Sequence, residues 1–365
     1  MDGARYEALI GVGGIGTGVF FALEGDHDIG RTETRLGQLM DYRDACKLHI
    51  IAPMARVLSS PRPFRVIPVG FVGWDPVGRD LLNQMRKAGL ETRWVRRTDQ
   101  APTLFAVCFQ FPDGSGGNLT PTNSACALLK PDDLERIAPL LARYGSKAMV
   151  LAAPEVALDV RARLLSLGSR YGCYRVASFV RGEIPAAARL DLFSQTDLLA
   201  LNEEEAAAWV SFDRRPLWNT AFRLALERRM TQMPPSFRLI VTLGAQGVAG
   251  WERGRWAFLP ALQAPVVSTA GAGDTLLGAV IAWLAAGGSF LPDSAADFHR
   301  IDSALAYGNV AAAFKVGRPD TLVSDLTLEA LRTFARAQGM TWTKVPFSKE
   351  RSWQRNAVGK PSSAQ

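Results

Sequence analysis

The chain alternates strand-like and helical runs over most of its length, and this alternation restricts its fold more than any other feature. The apolar run "FRVIPVGFVG" precedes "GRDLLNQMRKAGL", whose apolar residues repeat with helical period, and "KAMVLAA" precedes "PEVALDVRARLLSLGSRYG". "TDLLALN" and "FRLIVTLG" continue the pattern farther along the chain. Strands that alternate with helices form a mostly parallel sheet with helices on both faces. We therefore predict a doubly wound α/β fold.

Two regions interrupt this alternation. One extends from about residue 17 to residue 47, and the other, within residues 92–125, reads as a strand, a turn at Pro112-Asp113-Gly114 and a second strand. We predict that both regions together form a small β flap over the main sheet. After residue 340 the periodicity is lost and the composition becomes polar and basic. We therefore predict one domain at residues 1–340 and a basic C-terminal tail at residues 341–365.

The composition excludes several classes of protein. The net charge is +7, but the tail alone holds five basic residues against one glutamate, and no basic stripe with interleaved aromatics is found elsewhere. The chain is therefore not expected to bind nucleic acid. It shows no secretory signal, and its longest apolar stretch is too short to cross a bilayer, so we expect a cytoplasmic protein without a membrane partner. Its four cysteines lack the spacing of zinc or disulfide sites.

Near the N-terminus, residues 11–16 (GVGGIG) match the G-x-G-x-x-G pattern of dinucleotide-binding folds. That fingerprint requires a helix after the third glycine and, about 20 residues later, a strand that ends in an acidic residue. The sequence that follows, "TGVFFALEGDHDIGRTETRLG", provides neither. We therefore interpret the glycine run as a tight backbone crossing and do not predict a dehydrogenase.

The stretch "APVVSTAGAGDTLLGAVIAWLAAG" carries the clearest chemical signal. A predicted strand at Val266-Val267 leads into the turn Gly271–Gly273, and Asp274 stands at the start of an apolar helix. Glycines beside a helix N-terminus expose backbone N–H groups, which favour bound anions such as a phosphoryl group. A carboxylate at the same point can accept a proton from an attacking hydroxyl, although Asp at a helix start is equally typical of a simple cap.

"STAGAGDTLLGAVIAWL" resembles the signature of the ribokinase (PfkB-type) carbohydrate and nucleoside kinases. Further segments resemble that family in the same order: "VGFVGWDPVGRDLLNQMRKAGLETRWV", "APTLFAVCFQFPDGSGG", "LLALNEEEAAAW", "IVTLGAQGVAGWERGRWAFLPA" and "ALAYGNVAAAFKVGRPDTL". The resemblance extends from about Gly70 to Leu322. It implies a ribokinase-like fold with a β lid, and ATP-dependent phosphorylation of a hydroxyl of a small sugar, polyol or nucleoside.

The resemblance also implies roles for individual residues. Asp274 would be the general base, and the N–H groups of Gly271, Ala272 and Gly273 would stabilise negative charge on the γ-phosphoryl group. Asn202 and Glu205 would organise Mg²⁺, through water, although Asn-Glu-Glu-Glu is also a typical capping box and both roles can coexist. The remaining residues predicted to border the nucleotide are Thr242, Gly244, Gly247 and Asn309.

The chain departs from the family pattern at the predicted acceptor site and beside the glycine turn. Ser268 stands where the family usually has an Asp that is linked in many members to a monovalent cation, which argues against a potassium requirement. His49 stands where the substrate segment usually has an Asn, and either a substrate contact or a core position would explain it. Gly16 stands near the place of an acidic sugar ligand. Our acceptor-site candidates are Gly14, Gly16, Asp44 and His49.

These departures leave a second function open, a nucleotide- or sugar-binding regulatory homologue without turnover. The presence of Asp274 and of the glycine turn argues against that alternative. Weaker polar candidates for the acceptor site are Lys47, Asn118, Asn123 and Arg181. Flap-to-flap dimers occur in the family, and the resemblance therefore also suggests a homodimer through the flap.

Overall fold

The computed structural model describes residues 5–25, 27–112, 116–215, 217–294 and 297–343. Its strands are β1 (Ala8–Val12), β2 (Gly16–Leu23), β3 (Gly37–Ala45), β4 (Arg65–Gly73), β5 (Val95–Thr98), β6 (Leu104–Gln110), β7 (Gly116–Leu119), β8 (Ala148–Ala152), β9 (Tyr174–Ser178), β10 (Leu198–Asn202), β11 (Arg238–Thr242), β12 (Val248–Glu252), β13 (Arg255–Leu259), β14 (Arg300–Ile301) and β15 (Thr341–Trp342). Its α-helices are α1 (Lys47–Leu58), α2 (Pro76–Lys87), α3 (Ala138–Tyr144), α4 (Leu158–Arg170), α5 (Ile184–Arg189), α6 (Glu203–Trp209), α7 (Thr220–Met230), α8 (Ala272–Ala285), α9 (Ala304–Val316) and α10 (Leu328–Ala337).

Nine strands form the main sheet, in the order β13-β12-β11-β10-β9-β8-β1-β4-β5. Its neighbouring strands are parallel except at one edge, where β11, β12 and β13 form an antiparallel meander. Every residue of β1 and β8 is buried, as expected for central strands whose two faces are both covered by helices. The predicted doubly wound, mostly parallel sheet is therefore confirmed.

One helix of the core determines where the glycine turn lies. Helix α8 packs against both α1 and α9, and all its residues from Thr275 to Ala285 are buried. The contact with α1 is close, because a Cβ atom on Gly278 would lie 2.6 Å from the Cβ atom of Met54. Only a residue without a side chain permits these helices to approach so closely. The start of α8 is consequently held in place by the core.

The flap is a separate four-stranded sheet with the order β3-β2-β6-β7. Strands β2 and β6 are parallel, whereas β2 with β3 and β6 with β7 are antiparallel. The predicted flap is thus present. The second predicted flap segment, residues 92–125, began too early, because β5 within it pairs with β4 in the main sheet. Asp113 and Gly114 of the predicted turn lie outside the described residues. The glycine run of residues 11–16 connects β1 directly to β2, without the helix that a dinucleotide site requires.

Two further predictions need correction. Val266 and Val267 do not form a strand; the N–H of Val267 donates to the carbonyl of Val316 at the end of α9, 2.7 Å away. The tail boundary at residue 341 was placed too early, because Thr341 and Trp342 pair with Arg300 and Ile301. The rest of the predicted tail, residues 344–365, lies outside the described part of the chain.

Further sequence predictions concern the cysteines and membrane spans. The structure has all four cysteines as free thiols, and all four are buried. Within the described residues, no helix combines the length and the apolar character that a membrane crossing demands.

Candidate active site

A cavity of about 350 Å³ lies between the flap and the carboxyl ends of the main-sheet strands. Asp44, Gly271 and Asp274, predicted as site residues, line this cavity together, and so do Lys47, Asn118 and Ser268. The other lining residues are Phe20, Ala45, Ile50, Cys108, Phe109, Gln110, Gly116, Gly117, Glu155, Thr269 and Ala270. Two of the weaker candidates, Asn123 and Arg181, do not line it.

The glycine turn has the geometry that its sequence predicted. Gly271 caps α8 in the left-handed conformation, with φ of 77°, and a Cβ atom at this residue would lie 2.7 Å from the carbonyl oxygen of Thr321. A Cβ atom at Gly273 would meet no atom within 4 Å. The N–H of Ala272, predicted to face the γ-phosphoryl group, instead donates to the carbonyl of Thr269 at 3.2 Å and thus stabilises the turn itself. Open space beside the first turn of a helix suits an anionic group.

Asp274 is the third residue of α8, and its nearest charged partner is Lys47, the first residue of α1. The ammonium nitrogen of Lys47 lies 3.6 Å from Oδ1 of Asp274, and the Asp274 carboxylate is the main cause of the raised pKa of Lys47. Both side chains are partly covered, with 29% and 14% exposed. The ammonium of Lys47 and the N-terminal end of the helix dipole both place positive charge beside the Asp274 carboxylate.

Glu155 faces the same cavity and was missed from the sequence. It follows the buried strand β8, and its backbone has φ of 73°, a conformation that is uncommon outside glycine. Its Oε2 accepts the backbone N–H of Lys47 at 3.0 Å. Burial raises the pKa of Glu155 to about 7, and Lys47 opposes that effect only in part. An acidic residue just after a strand of a parallel sheet was the available signal.

Asp44, at the end of β3, places a further acidic group in the cavity. Its Oδ2 accepts a hydrogen bond from the thiol of Cys108 across the flap, with 3.3 Å between oxygen and sulfur. Burial is the main cause of its raised pKa, and the charge of Asp274 raises it further. The carboxylates of Asp44, Glu155 and Asp274 therefore interact with one another, and Lys47 is the cation beside them.

Three of the predicted acceptor residues do not line the cavity. His49 is only 1% exposed on α1, its Nδ1 lies 3.3 Å from the carbonyl of Gly16, and burial lowers its pKa to about 4. Of the two explanations for His49, the structure therefore supports the core position. Gly14 lies behind Glu155, because a Cβ atom there would overlap that carboxylate. Gly16 is enclosed by Cys46 and Leu104, so the glycine run lies beneath the lining residues and does not form the cavity floor.

Asn202 and Glu205 form the predicted capping box at the start of α6. Glu205 N–H donates to Oδ1 of Asn202, and Asn202 N–H donates to Oε2 of Glu205, both at 2.8 Å. Burial is the main cause of the raised pKa of Glu205, and the charges of Lys47 and Asp274 act on it as well. No cluster of three His, Cys, Asp or Glu side chains with the geometry of a metal site occurs in the described ranges.

The residues predicted to border the nucleotide lie on neighbouring elements. Thr242 ends β11, and Gly244 and Gly247 form the turn into β12. Gly244 has open space where a Cβ atom would lie, whereas a Cβ atom at Gly247 would overlap the carbonyl of Leu259. Gly247 therefore has a structural function in this hairpin. Asn309 is buried on α9, where its amide donates to the carbonyl of Pro260 at 2.9 Å.

A glycine turn, a helix start and a carboxylate at the carboxyl ends of a parallel sheet are typical of α/β proteins that bind phosphate groups. The model of the pfkB family carbohydrate kinases matches residues 52–327. The chain therefore belongs to the pfkB family of carbohydrate kinases, a class of ATP-dependent phosphotransferases that act on sugars, as its sequence predicted.

Individual relatives agree with this assignment. The probable fructokinase-3 of Arabidopsis thaliana is 26% identical over 294 residues, which cover 77% of this chain and 80% of the relative. The ribokinase of Giardia lamblia superimposes with a TM-score of 0.73 at 21% identity, over 92% of this chain and 99% of that chain. The ribokinase of Cryptococcus neoformans, solved with ADP, superimposes with a TM-score of 0.70 at 23% identity, over 90% and 99%. The predicted ribokinase-like fold is confirmed.

Proposed function

We propose that this chain transfers the γ-phosphoryl group of ATP to a hydroxyl of a small sugar or polyol, with Asp274 as general base. The observation that carries the proposal is the start of α8. There, the left-handed Gly271 and the carboxylate of Asp274 line the same cavity, and Gly273 between them has open space at its Cβ position. The proton acceptor and the helix terminus that favours phosphoryl oxygens are then only one residue apart.

The proposed acceptor site consists of the polar side chains around the cavity. Asp44 and Glu155 present carboxyl groups from the flap and from the end of β8, and Asn118 adds an amide from β7. Groups of this kind recognise hydroxyls, because each can accept or donate a hydrogen bond to one. At neutral pH, which is close to the pKa of about 7 of Glu155, the protonated form of its carboxyl group can also donate a hydrogen bond. A nucleoside remains a second acceptor class, since its ribose presents the same hydroxyls.

Proton transfer and charge neutralisation would involve Asp274 and Lys47. Asp274 accepts the proton of the attacking hydroxyl as the oxygen bonds to phosphorus, which is typically worth 10²–10⁴ in rate. Lys47, 3.6 Å from Asp274, lies where it can compensate negative charge on the transferred phosphoryl group. The N–H groups at the start of α8, those of Gly271 and Gly273 among them, stabilise the same charge without reorganisation.

ATP and Mg²⁺ fit the residues present. The open space at Gly273 and Gly244 would permit close approach of phosphates and of the nucleotide. Thr242 and Asn309 remain predicted neighbours of the nucleotide. The carboxylate of Glu205 is an oxygen ligand of the kind that Mg²⁺ uses together with water and phosphates, and Asn202 holds Glu205 in place by accepting its backbone N–H at 2.8 Å. When bound, Mg²⁺ would neutralise phosphate charge. Glu205 holds the cap of α6 through one carboxylate oxygen, which leaves its other oxygen for a water in the shell of the metal.

The test is Mg²⁺-dependent ATP consumption with a panel that includes fructose, ribose, polyols and nucleosides. We expect turnover with one acceptor class, and a fall of about 10²–10⁴-fold in kcat for Asp274→Asn with ATP binding retained. Asp80→Asn, at an exposed position on α2, is the matched control and should keep full activity. Turnover that persists in Asp274→Asn would refute the assignment of the base.

The same assay tests the alternative function. ATP binding without turnover on any acceptor of the panel would favour the regulatory homologue that binds nucleotide or sugar. The homodimer through the flap also stays a prediction. It is supported by the apolar side chains that the flap exposes, Leu36, Leu39, Phe105 and Leu119.

A further inference from the structure

Lys315, in the last turn of α9, is completely buried although its side chain carries an amine. Lysine is almost never fully buried unless its charge is compensated, because desolvation of an ammonium group is costly. No carboxylate among the described residues lies within 4 Å of its Nζ atom. Its environment therefore differs from that of an ordinary surface lysine or of a buried ion pair.

The compensation comes from two backbone carbonyls. Nζ of Lys315 donates to the carbonyl oxygen of Ser268 at 3.0 Å and to that of Arg318 at 3.1 Å. Burial lowers the pKa of Lys315 to about 8, and the charge of Asp320 partly opposes this effect. The amine thus retains its proton at neutral pH. The group is a fixed monovalent cation, coordinated by carbonyl oxygens.

This cation joins the two backbone segments that enclose the glycine turn. Ser268 lies three residues before Gly271. On the other side, the segment that begins at Arg318 reaches Thr321, whose carbonyl oxygen would lie 2.7 Å from a Cβ atom on Gly271. The N–H of Ser268 also donates to the carbonyl of Val316 at 3.2 Å. The ammonium of Lys315 is therefore bonded to the segment that leads into the turn proposed to bind the γ-phosphoryl group.

We propose that the ammonium of Lys315 is a built-in replacement for a monovalent metal ion at this turn, and that the protein functions without potassium. At residue 268, where the sequence resemblance places a carboxylate linked to such an ion, this chain has a serine whose carbonyl is bonded to the ammonium. The residues present thus do not fit a potassium ion. Lys315 is a positioning residue for the glycine turn, and this inference rests on the proposed function.

The first test uses the wild-type protein. The affinity for a non-hydrolysable ATP analogue with Mg²⁺ is measured by calorimetry in potassium chloride and in tetramethylammonium chloride. We expect equal affinities, and equal turnover wherever an acceptor is found. Stimulation of binding or turnover by potassium would overturn the inference. If no acceptor supports turnover, the proposed function fails, but the two affinities still decide the role of Lys315.

The second test separates charge from packing. Lys315→Ala opens a space beside the two carbonyls, whereas Lys315→Met fills a similar volume without charge. In tetramethylammonium chloride we expect both variants to bind the analogue about tenfold more weakly or worse, because charge-assisted hydrogen bonds are strong. Potassium or ammonium ions should restore affinity in Lys315→Ala but not in Lys315→Met. A loss in Lys315→Ala that neither ion reverses, or full affinity in Lys315→Met, would overturn the inference.

The matched control is Lys147→Met. Lys147 is 62% exposed and pairs with Glu7 at 2.7 Å, so it represents a lysine without a role in the cavity. Its affinity for the analogue should be the same in both salts and equal to that of the wild type. If Lys147→Met lost affinity for the analogue to the same extent as Lys315→Met, the effect would come from the removal of any positive charge. That result would also refute the inference.

Discussion

Two neighbouring glycines should respond to the same substitution in opposite ways. Gly271 has φ of 77°, and its Cβ position lies 2.7 Å from the carbonyl oxygen of Thr321. Gly273 is the second residue of α8, and its Cβ position has no neighbour within 4 Å. An alanine at residue 271 must therefore enter strained backbone and occupied space. An alanine at residue 273 enters helical backbone and the open space proposed for the phosphoryl oxygens.

The magnitudes follow from this geometry. In a helix, alanine is favoured over glycine by up to about 1 kcal/mol, so Gly273→Ala should leave the free energy of unfolding unchanged or slightly increased. Its methyl group would nevertheless obstruct the anion site, and loss of one such interaction typically costs about 10²–10³ in kcat. Gly271→Ala should lower the free energy of unfolding by about 2 kcal/mol or more, from left-handed backbone and overlap with Thr321.

Urea denaturation and steady-state turnover with the same preparations test this pair. We expect Gly273→Ala to be at least as stable as the wild type and nearly inactive, and Gly271→Ala to be clearly destabilised. Full activity of Gly273→Ala would show that the open space is not used by the phosphoryl group. Equal destabilisation of both variants would show that the difference between the two Cβ environments has no energetic consequence.

Two further predictions concern stability. The pKa of Glu155 is raised from 4.5 to about 7, so its contribution to the free energy of unfolding decreases as the pH rises through that interval. Glu155→Gln should therefore flatten the dependence of the unfolding free energy on pH, measured by urea denaturation. An unchanged pH dependence would refute this prediction. Asp75 accepts hydrogen bonds from Gly78 at 2.7 Å and from Thr103 at 2.8 Å. Asp75→Ala should therefore lower the free energy of unfolding by about 2–3 kcal/mol, whereas Asp80→Ala, at an exposed position, should lower it little. Equal losses in the two variants would contradict this prediction.

Local signals were sufficient for several elements. The capping box of Asn202 and Glu205 formed as predicted, because it depends on residues three positions apart on the same helix. The start of α8 beside Gly271 formed as well. The alternation of strands and helices indicated the parallel sheet, since periodicity reports which face of each segment is buried.

Predictions that depended on distant partners were less successful. Val266 and Val267 have strand-like side chains, but the hydrogen bonds of this segment go to α9, and no strand forms. His49 stands at the sequence position where the family's substrate segment usually has an Asn, but its place on α1 buries its side chain in the core. Glu155 lies far from the recognised motifs, and the positive φ that directs it into the cavity could not be predicted from its residue type.

By itself, the sequence determined the fold class, the family and the position of the glycine turn, because these follow from periodicity and from short motifs. Only the tertiary structure decided which groups meet at that turn. Lys47, Glu155 and Asp274 come from three separate segments, and Lys315 reaches the carbonyl of Ser268 across 47 residues. The physical reason is that burial and charge compensation depend on which residues are neighbours in space. The packing of α1, α8, α9 and the flap brings those neighbours together.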